Sequence, residues 1–315
     1  MGIDLSYQPH LESMQRLRPA QEESSTLESV LEARRGEPRI THPEAFNGRD
    51  GYQEKFLGEF VVPWPRPTGL RLRDVQLLAD GKDKLAYTHF SVMMSRYRRI
   101  AMCVGVNISG GESVKIERTP DKWAFDGRLP VEYQVGEDLY ADNLLDRGHL
   151  VRREDPNWGP DAETANEDTF HFTNCSPQMA AFNQKTWLSL EDYILQNTRR
   201  WQERVTVFSG PVFRDSDREY RGVLIPSAYW KVIAFLSDDG KPSATAYMID
   251  QSGELAALEA AFGRFKTYQR SIARIEELTD LDFGKLKDYD GFTNEERRSD
   301  TRIEAVINRP SDIRV

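Results

Sequence analysis

Apolar and polar positions change rhythm along the chain, and each change marks a different kind of element. Residues 1–50 are polar and rich in Glu, Arg, Pro and Ser, with short helical spacings (Leu11, Met14, Leu17; Leu27, Val30, Leu31) broken at Pro19 and at Glu22-Glu23-Ser24-Ser25. Val61-Val62-Pro63-Trp64-Pro65 reads as an extended entry, because a residue before proline is pushed to the β region. Leu85 to Met94 alternates and then becomes continuously apolar, and Arg99 to Ile108 is a buried-strand signal. Gly110-Gly111 then predicts a turn into a second strand over Ser113 to Glu117.

Further on, Asp168 to Asn174 reads as strand-like, and Asn183 to Ile194 as an amphipathic helix opened by amides. Arg204 to Pro211 predicts a strand. Ala228 to Leu236 and Ser243 to Asp250 predict a hairpin across Asp238-Asp239-Gly240. Glu254 to Phe265 and Ser271 to Leu278 have helical spacing, the second with Ser271 as cap. Strands on both sides of one central helix give an α+β class with a mostly antiparallel sheet. The expected organisation is a polar arm over 1–51, partly helical or disordered, a folded domain over 52–292, and a charged tail over 293–315.

Composition narrows the picture. In 315 residues, 51 acids against 42 bases give a net charge of −9, which weighs against coating nucleic acid or an acidic membrane with the whole surface. A local basic groove remains compatible with that total. Two cysteines, Cys103 and Cys175, are too few for a disulfide framework and read as buried thiols. The opening Met-Gly-Ile-Asp-Leu-Ser has neither a basic nor an apolar signal region, and no apolar run approaches the length of a membrane span. The expected setting is cytoplasmic, with no membrane partner.

The chemistry gathers between Asn143 and Glu191. His149 is suited to general base work near neutral pH. Gly148 before it lets backbone approach a ligand closely, and the guanidinium of Arg147 matches phosphate geometry. Asp146 is placed to pair with an arginine and shape the loop. Alone, these four residues read equally well as a polar strand end. Asn183, Trp187 and Glu191, at i, i+4 and i+8, share one helix face. That stripe suits a hydrated magnesium ion, bound directly by Asn183 and through a water by Glu191. Each also has a plainer reading, Asn183 as a helix N-cap and Glu191 as an exposed helix acid. Arg118, Lys122, Arg152, Arg153 and Lys185 supply cations that could stabilise a phosphodiester under attack. Gly-rich phosphate cradles, Cys/His zinc patterns and a Gly-x-Ser-x-Gly elbow are absent.

Asp146-Arg147-Gly148-His149, Asp168-Thr169-Phe170-x-Phe172-Thr173-Asn174-x-x-Pro177-Gln178 and Asn183-Gln184-x-x-Trp187-x-x-Leu190-Glu191 together resemble the DNA/RNA non-specific endonucleases. This ββα-metal group includes secreted sugar-non-specific bacterial nucleases and mitochondrial endonuclease G. The resemblance runs from about Tyr52 to about Tyr289, and its later parts include Phe208-Ser-Gly-Pro-Val-Phe213 and Trp230-Lys231. It implies a ββα-metal core and a Mg²⁺-dependent cleavage of DNA or RNA, with Mn²⁺ able to substitute. His149 would activate water, and Asn183 would be the direct metal ligand. Glu191 would orient metal waters, and the products would carry 5′-phosphate ends. Arg147 would contact the phosphate, with Arg118 or Lys122 as the upstream cation before Trp123-x-x-Asp126, and Asn174 would brace the site. Unlike secreted and mitochondrial relatives, this sequence shows neither signal peptide, disulfide pattern nor basic targeting segment. A regulated bacterial defence role, with a protein partner or fused domain on the 1–51 arm, is one setting that fits; a homodimer is another partner to expect. The competing class is a binding or scaffold protein that keeps the fold and works through that arm.

Overall fold

Apolar runs too continuous for one-sided strands build a sheet that is buried on both faces. The computed structural model describes residues 2–14, 39–117, 121–141, 144–179, 203–237, 239–251, 266–307 and 312–314. The strands that form the sheet and position the site are, in chain order, β1 (Leu85–Tyr87), β2 (Phe90–Met94), β3 (Ala101–Ser109), β4 (Leu145–His149), β5 (Cys175–Met179), β6 (Arg204–Val212), β7 (Ala228–Leu236), β8 (Pro242–Asp250), β9 (Lys266–Arg270) and β10 (Glu304–Ile307). The helices that bear on it are α1 (Glu137–Tyr140), α2 (Ala162–Asp168), α3 (Ile272–Thr279) and α4 (Gly291–Ser299).

An eight-stranded sheet has the order β10-β9-β8-β7-β6-β3-β2-β1, with every neighbouring pair antiparallel. The expected α+β class with an antiparallel sheet is what the chain forms. Side chains alternate across each strand, so adjacent residues on β7 serve opposite layers. Trp230 faces one layer, where its ring meets Phe283 edge-on at 5.4 Å. Tyr229 faces the other, toward the hairpin of β4 and β5. Burying a side chain such as Phe283, only 1% exposed, contributes roughly 1.5–3 kcal/mol. Ser271 caps α3 as expected, its hydroxyl accepting from Arg274 N at 3.0 Å. No helix among the described residues is long and apolar enough to cross a membrane.

Several expectations need correcting. Leu85 to Met94 is two strands that fold back at Thr88-His89, not one run. The turn carries no glycine, and His89 sits at φ 66°. Tertiary contacts hold it there: Asp50 accepts from His89 N at 2.8 Å, and the imidazole stacks on Trp158 at 3.5 Å. Asp168 in turn accepts from both Thr88 N and Thr88 Oγ1. Ser113 to Glu117 forms a single bridge, Ser113 to Trp158, rather than a hairpin strand, because the loop before Trp158 takes the pairing partner's place. Phe172–Asn174 is a 3₁₀ turn, and the strand begins at Cys175, just after the segment read as strand-like.

The packed body also extends past both expected boundaries. Ile40–Thr41 pairs in parallel with Phe125–Asp126. Phe46 is buried beneath the guanidinium of Arg128, 3.8 Å from its ring, and Arg49 is paired with Asp168 at 2.8 Å. Residues 9–14 lie against α4, with Asn294 Nδ2 donating to Pro9 O at 2.7 Å, and Leu5 O accepts from Tyr289 Oη at 3.1 Å. A boundary at 293 falls inside α4, and β10 beyond it completes the sheet edge. The helices expected over 183–194 and 254–265 lie outside the described residues.

Candidate active site

β4 and β5 form a two-stranded ladder in which Leu145 faces Met179, Arg147 faces Pro177 and His149 faces Cys175. Strand alternation therefore puts Leu145, Arg147 and His149 on one face and Asp146 and Gly148 on the other. The ladder is fastened to the central sheet by polar groups. Tyr229 Oη donates to Pro177 O at 2.6 Å and lies 3.0 Å from Ser176 Oγ. Gln251 Oε1 accepts from Met179 N at 3.0 Å, and Gln251 Nε2 donates to Pro226 O at 2.7 Å. All of these groups are buried, so each bond also removes the cost of an unsatisfied polar atom.

The chain leaving His149 is fixed by Asn174. Its Oδ1 accepts from Val151 N at 2.9 Å, and its Nδ2 donates to Val151 O at 2.9 Å and Thr169 O at 3.0 Å. Leu150 N adds a bond to Asn174 O at 3.0 Å. A single fully buried amide thus ties the residues after the histidine to the turn that starts β5. His149 itself is half-buried against aromatic rings. Trp123 lies 4.7 Å away between centroids, and Phe170 meets it edge-on at 5.1 Å. Gly148 is required on the opposite face: a Cβ there would lie 2.2 Å from Gln178 Cδ and Oε1.

Arg147 is held by an acid the sequence did not single out. Its Nη1 donates to both Glu137 carboxylate oxygens at 2.6 Å. Glu137 opens α1, whose last residue, Tyr140, accepts from Cys175 Sγ at 3.2 Å. Burial pushes the Cys175 thiol up to about 12, outweighing the Tyr140 bond and the nearby charge of Arg147, which both lower it. The two thiols are buried and free, as expected. Asp146 is half-buried on the Gly148 side. Lys122 is exposed immediately before Trp123. Arg152 is half-buried, with its backbone N–H bonded to Asp155 Oδ2 at 3.2 Å. Arg153 reaches Ile116 O and pairs with Glu154 at 3.0 Å. Arg118, Asn183, Lys185 and Glu191 lie outside the described residues.

Other polar motif residues are structural. Asp168 is spent on Arg49 and Thr88. His171 bridges Asp168 O and Thr41 Oγ1 at 2.9 Å each, and burial lowers its pKa. Among the described residues no three His, Cys, Asp or Glu side chains converge as a ligand set. Sequence reading missed Glu137 and Phe170 as site neighbours. Glu137 carries no motif signal, whereas Phe170 lay inside the quoted Asp168–Gln178 pattern without an assigned role.

The model of the family described as DNA/RNA non-specific endonuclease matches residues 70–290. The chain belongs to that family. An uncharacterized protein of Sinorhizobium fredii is 38% identical over 307 residues, covering 89% of this chain and 46% of that protein. Mitochondrial endonuclease G of Bos taurus and of Homo sapiens are each 30% identical over 122 residues, covering 35% of this chain and 40% of theirs. The chain thus spans less than half the length of these curated relatives. A crystal structure of an EndoG/EndoGI complex superposes with a TM-score of 0.52 at 18% identity, covering 65% of this chain and 86% of that one, a likeness of fold.

Proposed function

We propose that this chain is a Mg²⁺-dependent endonuclease that hydrolyses phosphodiester bonds in DNA, RNA or both without regard to base sequence. The observation that carries this reading is the placement of His149 and Arg147 on one face of β4, two residues apart, within the stretch matched to the family. His149 takes a proton from the attacking water, and Trp123 and Phe170 limit how far its ring can swing. Arg147 meets a phosphate oxygen and offsets the charge that grows during attack. The water oxygen bonds to phosphorus as the bond to the 3′ oxygen breaks, and that oxygen leaves as a hydroxyl by taking a proton from water, giving a 5′-phosphate end. Asn174 keeps the chain beyond the base in place, and Asp146 supports the strand from its other face.

Asn183 would hold the ion directly and Glu191 through a water. When bound, the ion neutralises phosphate charge and lowers the pKa of water at the reaction centre. Lys122, Arg118, Arg152 and Lys185 would follow the rest of the backbone, which explains indifference to sequence, since phosphate contacts carry no base information. The test is incubation of purified protein with supercoiled plasmid and, in parallel, a structured RNA. Cleavage should appear with Mg²⁺, stop in EDTA and return when Mg²⁺ is restored in excess. Cleavage that persists in EDTA would overturn the metal requirement, and failure to cut either substrate would overturn the nuclease reading.

A further inference from the structure

Arg147 shares the face of β4 that carries His149, where it can meet a phosphate, yet it already has an anionic partner. Nη1 donates to both oxygens of Glu137, each at 2.6 Å, while no other hydrogen bond occupies Nη2 or Nε among the described residues. The pair sits at the edge of the site: the Arg147 side chain is 19% exposed and that of Glu137 is 47% exposed. Glu137 heads a four-residue helix whose far end is anchored by buried Tyr140 against Cys175, opposite His149. The acid is therefore carried by an element packed against the catalytic strand rather than by a distant loop.

We propose that Glu137 is a positioning residue that acts as the resident counterion of Arg147, setting how tightly the site holds a nucleic-acid phosphate. Two consequences oppose each other. The carboxylate cancels the charge that an incoming phosphate would otherwise meet, so it weakens ground-state binding. It also fixes the guanidinium by one nitrogen, leaving the Nη2–Nε edge presented to the substrate in a set orientation. Removing the acid therefore strengthens binding while loosening the arginine. Substrate is held more tightly and turned over more slowly.

The inference rests on the nuclease reading, and its test separates the two. Binding of a fluorescein-labelled 20-base-pair duplex is measured by anisotropy in EDTA, so that no cleavage is needed. Glu137→Gln should lower Kd about three- to fivefold, the size expected for freeing one partly exposed ion pair. Its log Kd against log salt slope should steepen by roughly 0.9, one further phosphate contact. In an Arg147→Ala background the same substitution should change Kd less than twofold. With Mg²⁺, Glu137→Gln should lower KM and kcat together, a split that a general loss of structure would not give. Unchanged or weaker binding by Glu137→Gln would overturn the proposal, as would an equal gain in the Arg147→Ala background, which would mark a diffuse field effect. If those results appear while the wild type still cuts plasmid, the proposal about Glu137 fails and the nuclease reading stands.

Discussion

Gly148→Ala should damage the site out of proportion to one methyl group. The added Cβ would sit 2.2 Å from Gln178 Cδ and Oε1 and 2.6 Å from Gln178 Cγ. Carbon contacts prefer about 3.5–4.0 Å, so the two strands must separate locally by roughly 1 Å. Gln178 is completely buried and has no room to swing aside into solvent. Overpacking of this kind costs about 1–3 kcal/mol, or roughly 2–10 °C of Tm in a chain of this size. The larger effect falls on His149, the next residue on the same strand, because a misplacement near 1 Å lowers rates by about a hundredfold. The assay pairs thermal unfolding with plasmid cleavage for Gly148→Ala, Gln178→Ala and the double variant. Among the described residues neither Gln178 amide atom has a hydrogen-bond partner, so truncating it opens space without breaking a bond to any of them. The double variant should regain at least about 1 kcal/mol over the sum of the single changes. Wild-type Tm and cleavage in Gly148→Ala, or strict additivity in the double variant, would refute the contact and the argument built on it.

Asn174→Ala removes three side-chain hydrogen bonds to Val151 and Thr169 and should cost roughly 2–4 kcal/mol in urea unfolding, because buried backbone groups are left unpaired; a loss below about 0.5 kcal/mol would contradict the bracing role. Asp290 predicts a pH effect of definite sign. Burial raises its carboxyl to about 6, outweighing the bonds it accepts from Thr293, Ile272 and Phe292. The folded state therefore keeps this proton more tightly than the unfolded chain, whose aspartate titrates near 3.9. Stability from this group is present below about pH 4 and is lost as pH rises to about 6, a change of about 3 kcal/mol. Denaturant unfolding of the wild type and Asp290→Asn at pH 4.5, 5.5 and 7 should show the wild type losing ground as pH rises, whereas parallel profiles would contradict it.

How far the sequence could be read depended on what signal each element carried. The central strands were legible because both faces are buried and their apolar runs are continuous, as in Ala228 to Leu236. The family was legible from a resemblance spread over three segments, of which Asp146–His149 and Asp168–Gln178 lie among the described residues. What escaped was set by tertiary contact. The turn at Thr88-His89 has no turn residue and depends on Asp50, Trp158 and Asp168, which are far away in sequence. The boundary at residue 52 missed Phe46 because one buried aromatic in a polar segment makes no periodic pattern; its burial depends on Arg128 and Tyr87. Glu137 escaped for the same reason, since an acid in a four-residue helix signals nothing until Arg147 is seen beside it.

The most direct measurement of the central claim is plasmid cleavage in Mg²⁺ by the wild type beside His149→Ala, with Tm recorded for both proteins. The histidine is half-buried against Trp123 and Phe170, so its truncation should leave the sheet and its unfolding largely unchanged. Loss of a general base at the reacting water should lower the cleavage rate by about 10²–10⁴-fold. A His149→Ala protein that folds and cuts plasmid as fast as the wild type would contradict the account.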